Sequence, residues 1–157
     1  MSSDGSAYKS KTIATWAALV GGVAGLHRFY LHGMRDAWGW LFIPPSLTGL
    51  YGVLRMRALG ADDHLAWVLI PFLGLSLASA MITAIIYGLT PDETWNARFN
   101  PAGPQHRMNW ATVFGVVFAL VIGAGVLMAT LAFSAQRYFE YEAEVKAAQA
   151  NSARPIQ

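Results

Sequence analysis

The chain has no cysteine among its 157 residues. That excludes disulfides, thiolate metal ligands and a cysteine nucleophile. Charge is scarce as well. Asp, Glu, Lys and Arg make up 13% of the residues, against about 25% in a typical soluble domain. Four stretches contain none of these four residues. They hold sixteen residues between Lys11 and Arg28, eighteen between Asp36 and Arg55, twenty-eight between Asp63 and Asp92, and twenty-nine between Arg107 and Arg137. The middles of these stretches also lack histidine. Ionisable groups at membrane depth mark proton relays, ion paths and ligand counter-ions, so their absence argues against a pump, a secondary transporter or a proton channel. Mid-helix histidine pairs for a membrane haem are missing. No serine sits in a nucleophile elbow, and no glycine loop has phosphate-binding spacing. The eleven Lys and Arg residues are scattered and form no stripe for nucleic acid.

What is abundant is apolar. Hydrophobic residues make up 55% of the chain, and the mean hydropathy is +0.37. A spanning helix needs roughly 20 mostly apolar residues. The two long stretches pass easily and the second narrowly. The first is short, but Lys11 and Arg28 can reach outward along their stems to the headgroups. The expected fold is therefore all-α: an integral membrane protein with four transmembrane helices, the fourth extending beyond the membrane. A polar tail covers residues 1–10. A hairpin covers 11–57, with spans at about 11–30 and 37–55. A third span covers 64–88, a Pro/Asn/aromatic loop 89–108, a fourth span 109–136, and a helical, then frayed, tail 137–157. The chain reads as free of internal repeats.

Small residues recur at spacing four in Ala17–Gly21–Gly25, Ala14–Ala18–Gly22 and Gly115–Ala119–Gly123. Such rows let helix backbones approach closely in lipid. Pro44–Pro45 should kink the second span, with Ser46 or Thr48 serving the freed carbonyls. Trp95, Phe99 and Trp110 edge the long loop, a candidate docking surface for a partner. His27 and His32 are five apart, a poor spacing for a helical metal site, and His64 and His106 lie in separate loops, so no metal is expected. Asp62–Asp63 and Asp92–Glu93 read as solvated loop charges. An enzyme using His106, Asp92 and Glu93 would need all three within hydrogen-bond reach.

The segment GLHRFYLHGMRD, Gly25 to Asp36, sits between apolar runs. Arg28 can fork onto a phosphate or cap a helix. Phe29 and Tyr30 suit headgroup depth, and Gly33 lets the chain turn. With flanking residues this stretch resembles the TM2 domain: a charged lead, a glycine-rich first helix, a His-Arg-Phe-Tyr-Leu turn and a second helix. The likeness covers roughly residues 9–57. His32 intrudes before Gly33, Pro44–Pro45 breaks the second helix, and Arg55 stands where an acidic residue is often found. The resemblance implies a membrane hairpin, common in bacterial cytoplasmic membranes, with no established enzymatic activity. It also implies a cytosolic Arg28 turn. The charge count reads the other way. With both termini on one side, Lys9, Lys11, Arg55, Arg57, Arg137, Lys146 and Arg154 face Arg28, Arg35, Arg98 and Arg107. Seven against four places both termini in the cytoplasm.

The expected function is that of a non-catalytic accessory or scaffold subunit without cofactors. It would bind membrane lipids and other integral membrane proteins as part of a hetero-oligomer. The alternative is an anionic-lipid or small-solute protein with a polar pocket near Arg28 and the Pro44–Pro45 break.

Overall fold

The computed structural model describes residues 8–152. Every regular element in that range is helical. In chain order they are α1 (Lys11–Gly21), a 3-10 turn (Gly22–Ala24), α2 (Leu26–His32), α3 (Ala37–Trp40), α4 (Ile43–Leu59), α5 (His64–Leu89), α6 (Asp92–Phe99) and α7 (Trp110–Ser152). Two of these, α5 and α7, are long and apolar enough to cross a membrane. The expected tail segments 1–7 and 153–157 lie outside the described residues.

α5 is the central post, with α1, α4 and α7 packed around it. α7 runs antiparallel to α5 over most of its length. Gly123 packs on Met81, Gly74 on Thr130, and His64 meets Glu144. The small-residue row Gly115–Ala119–Gly123 is consumed inside the bundle: Gly115 meets Thr15 and Trp16, and Ala119 is fully buried. Of the two rows on α1, Ala14–Ala18–Gly22 is the one that faces α5, with Gly22 against Ala80. Ala17 is only half-buried, and Gly21 closes on Leu26 of its own hairpin.

The expected single span over 11–30 is instead two helices. Three glycines (Gly21, Gly22 and Gly25) fall within five residues, each costing about 1 kcal/mol of helix propensity. Gly25 takes the left-handed conformation, φ 73°. A Cβ there would lie 2.2 Å from the Gly39 carbonyl oxygen, so only glycine fits. α2 then runs back along α1. Its last turn returns to where α1 began: Ser10 N donates to the Tyr30 hydroxyl (2.9 Å) and Lys9 Nζ to the Tyr30 carbonyl (2.6 Å). α1, at eleven residues, is only ~16 Å long. Consequently Tyr8 lies at the Leu89 end of α5 and Glu144 at its His64 end. The described ends of the chain stand at opposite ends of the bundle, against the expectation of one side.

The expected second span is also divided, at Leu41–Phe42, one turn before the prolines. Pro44 and Pro45 occupy the first turn of α4, where a missing N–H costs nothing. They start a helix rather than bend one. Ser46 donates to the Val23 and Phe42 carbonyls, and Thr48 to that of Pro44.

The structure also shows a repeat that the reading of the sequence passed over. Residues 22–44 align with 49–71 at a constant offset of 27, and eight of the 23 positions are identical: Gly22/Gly49, Gly25/Gly52, Arg28/Arg55, Gly33/Gly60, Asp36/Asp63, Trp40/Trp67, Ile43/Ile70 and Pro44/Pro71. The two copies build the same turn. Arg28 Nε donates to Asp36, and Arg55 Nε to Asp63, each at 2.6 Å. Gly33 (φ 83°) and Gly60 (φ 101°) end the incoming helices. The Trp40 indole donates to the Met34 carbonyl at 3.0 Å, and the Trp67 indole to that of Ala61 at 2.6 Å. One turn sits at the Leu89 end of α5 and the other at the His64 end, so the second copy is inverted relative to the first.

Candidate functional site

The Leu89 end of the bundle concentrates the polar residues, and α6 is what gathers them. This helix arises inside the expected loop because Asp92 and Glu93 place negative charge on its first turn and Arg98 places positive charge on its last, matching the helix dipole. Trp95, expected as a docking residue, is instead core. It is 1% exposed, packs with Ala14 and Leu31, and its indole donates to the Lys9 carbonyl at 2.9 Å. Phe99 packs against the same cluster. Trp110 is 77% exposed at the start of α7.

Lys11 does not reach out to the headgroups. It is 1% exposed, forms an ion pair with Asp92, and donates to the Thr90 carbonyl at 3.0 Å. Asp92 is therefore no solvated loop charge. Its second oxygen accepts from the Met108 amide at 2.6 Å. Burial pushes the Asp92 carboxyl up, but Lys11 and the Met108 amide outweigh it and hold the group below the ordinary carboxylate range. Around this pair runs a closed set of hydrogen bonds. Asn96 Nδ2 donates to the His106 carbonyl (2.9 Å) and Asn96 Oδ1 accepts from the His106 amide (2.7 Å). Asn100 Oδ1 accepts from Lys9 N at 2.8 Å. His106 is buried, with Nδ1 2.9 Å from the Tyr8 hydroxyl and Nε2 without a partner. Burial lowers its pKa from the ordinary 6.5, the nearby Asp92 raises it in part, and Lys11 lowers it further. The result is a clasp tying the N-terminal segment, α6 and the start of α7 together. Glu93 stays exposed and outside it.

The motif of Gly25 to Asp36 lies beside the clasp. His27 is buried, not interfacial. It packs edge-on against Phe42 and Tyr87, with Nδ1 unpartnered. Arg28 pins the turn through Asp36, whose carboxyl its guanidinium holds below the ordinary range. Phe29 fills the space beside Gly39 and stacks at a tilt on Trp40. Tyr30 anchors the N-terminal segment. Between α2, the end of α5 and α6 lies a cavity of about 270 Å³ lined by Arg28, His32, Thr94, Arg98, Tyr87 and Phe99, among others. Arg98 makes no ion pair among the described residues; its guanidinium lies 5.4 Å from the Phe99 ring centroid. The Pro44–Pro45 break does not join this cavity. Pro45 lines a separate apolar one with Phe42, Phe72 and Leu75.

The His64 end is sparser. A cavity of about 410 Å³ opens between α5 and α7, lined by Trp67, Pro71, Arg137 and Tyr141 among others. Arg137 lies 4.9 Å from the Trp67 ring centroid and pairs with Glu140. The four histidines are dispersed, each with different neighbours. Among the described residues no three His, Asp or Glu side chains gather as a metal site would require.

The signal missed in the sequence is the self-match at offset 27, which separates turn-building residues from those present in one copy only. No family model, curated protein or solved structure matches this chain, so its likeness to the TM2 domain rests on the Gly25–Gly33 motif and its flanks.

Proposed function

We propose that this chain is a non-catalytic integral membrane protein that packs against other membrane proteins as an accessory or scaffold subunit. The observation that carries the reading is α7. At 43 residues it is ~65 Å long, about twice the hydrocarbon thickness. Its last ion pair with the bundle joins Glu144 to His64, and the helix continues to Ser152. An isolated short helix is marginal in water, so a partner surface is the natural support for this stalk. Tyr138, Phe139 and Tyr141 are exposed at its base.

In this reading α5, α7 and the combined α3–α4 segment cross the membrane, and α1–α2 is a re-entrant hairpin. The chain then makes three crossings rather than four. Irregular backbone at membrane depth is tolerated where protein buries it, and Gly25 against Gly39 meets that condition. Among the described residues, the Leu89 end carries Lys9, Lys11, Arg28, Arg35, Arg98 and Arg107, and the His64 end Arg55, Arg57, Arg137 and Lys146. Six against four favours the Leu89 end as the cytoplasmic one. Charge bias and the TM2 resemblance both support a cytosolic Arg28 turn, and the resemblance alone supports a bacterial cytoplasmic membrane.

Purification in mild detergent, followed by mass spectrometry, tests the proposal. A stoichiometric membrane-protein companion that is lost when the chain is truncated after Glu144 supports it. A lone monomer, or a companion indifferent to the truncation, counts against it.

A further inference from the structure

We propose that the cavity between α2, the end of α5 and α6 binds a phosphate ester at headgroup depth through Arg28 and Arg98. The cavity has a volume of about 270 Å³, with Arg28, His32 and Arg98 on its wall. Arg28 engages Asp36 through Nε alone, and His32 Nδ1 lies 3.7 Å from the same carboxylate oxygen. The terminal nitrogens of the Arg28 guanidinium have no partner among the described hydrogen bonds, and neither has Arg98. Two guanidinium forks around one cavity suit a phosphate better than any neutral ligand. Thr90 and Thr94 add hydroxyls to the same wall. Tyr87, Trp95 and Phe99 supply an apolar side that suits the glycerol and upper acyl carbons of a phospholipid.

Comparison of the two repeat copies sharpens the assignment. The residues held in common build the turn: Arg, Gly, Asp and Trp. His32 belongs to the first copy alone; the second has Leu59 in its place. α6, which brings Thr94 and Arg98, has no counterpart at the other end. The first turn therefore has the shared scaffold plus an added set of cationic and polar groups facing one cavity. This site is independent of the α7 stalk and of any partner docked there.

The source of the phosphate is a membrane phospholipid or a soluble phosphate ester, and the experiment separates them. The full chain in non-ionic detergent is titrated with phosphatidylglycerol, phosphatidylcholine and glycerol 3-phosphate, with bound molecules counted by native mass spectrometry. Arg98→Gln removes one fork from an exposed position, and Thr94→Leu fills the cavity without touching charge. Circular dichroism and thermal unfolding check that both variants keep the fold. One phosphatidylglycerol per chain, bound at least tenfold tighter than phosphatidylcholine and weakened about tenfold by each variant, establishes the site with lipid as occupant. Glycerol 3-phosphate binding alone, with the same sensitivity to both variants, establishes it with a soluble ester. Equal binding of both lipids, each a phosphate diester, supports the site only if both variants weaken it; lipid binding that neither variant weakens overturns the proposal, as does phosphate binding indifferent to Arg98→Gln.

Discussion

The chain makes one turn twice, and the two copies have different fates. In the second, α4 and α5 are continuous helices on either side of the Gly60–Asp63 turn. In the first, both flanking helices are interrupted: α2 is severed from α1 at Gly25, and α3 from α4 at Leu41–Phe42. Composition explains both interruptions. Pro71 is followed by Phe72, and one lost donor leaves α5 intact, whereas Pro44 is followed by Pro45, and two successive lost donors end α3. Gly49 and Gly52 are tolerated inside α4. A third glycine, Gly21, in the first copy's approach tips the balance toward a break. A shared turn fixes the reversal of direction, while a few residues outside it decide whether its flanking helices run on unbroken or are interrupted.

The two ends can be set against each other by substitution. The largest effect is expected at the clasp. Asp92→Asn leaves Lys11 buried without its counter-charge, and breaking such a pair costs about 3–5 kcal/mol. Unfolding in mixed detergent micelles should register that loss. Next come the matched glycines. Gly33→Ala and Gly60→Ala each force a side chain into a conformation almost confined to glycine, with nothing crowding the added carbon within 4 Å. Each should cost about 1–3 kcal/mol. The comparison requires the two losses to agree within about 0.5 kcal/mol, the usual additivity error; a large inequality in the same unfolding assay would show that the turns are not equivalent.

A smaller effect separates the ends by pH. His106 is buried with its pKa lowered from 6.5, so the unfolded chain takes up a proton at a higher pH than the folded one. Stability should be complete above pH 6.5 and decline as pH falls below it. Asp92 adds its own loss below about 3.8, where its depressed carboxyl begins to lag behind the unfolded one. His106→Gln should shrink the first decline in a pH series of melting curves without abolishing it, because His27 is also buried, and should spare the second. The smallest effect is expected at the opposite end. His64 and Glu144 are both about half exposed, so Glu144→Gln should change stability by less than about 0.5 kcal/mol.

Much of the fold is legible in the sequence. Two long charge-free windows became α5 and α7, and the helical extension after Arg137 follows from its strong helix formers. The small-residue row of α7 lies where helices meet, though its partners are α1 and α5 of the same chain. The site is less legible. Lys11 looks like a terminal charge because nothing in its neighbourhood reveals Asp92, eighty-one residues away. Trp95 looks like a surface aromatic for the same reason: its burial depends on α6 folding onto the N-terminal segment. The hairpin at Gly25 is hidden because an apolar window reports only that residues avoid water, not that the chain crosses and stays across. The repeat was visible throughout, but sparse identities at a fixed offset are seen only when the chain is compared with itself.

The absence of cysteine makes the decisive measurement simple. Ser10→Cys and Met34→Cys, made singly, flank the α1–α2 hairpin. In sealed right-side-out and inverted vesicles, a membrane-impermeant maleimide should label both from the same face, because the hairpin enters and leaves by one surface. Labelling of the two from opposite faces would mean that the segment crosses the bilayer, and the re-entrant account would be wrong.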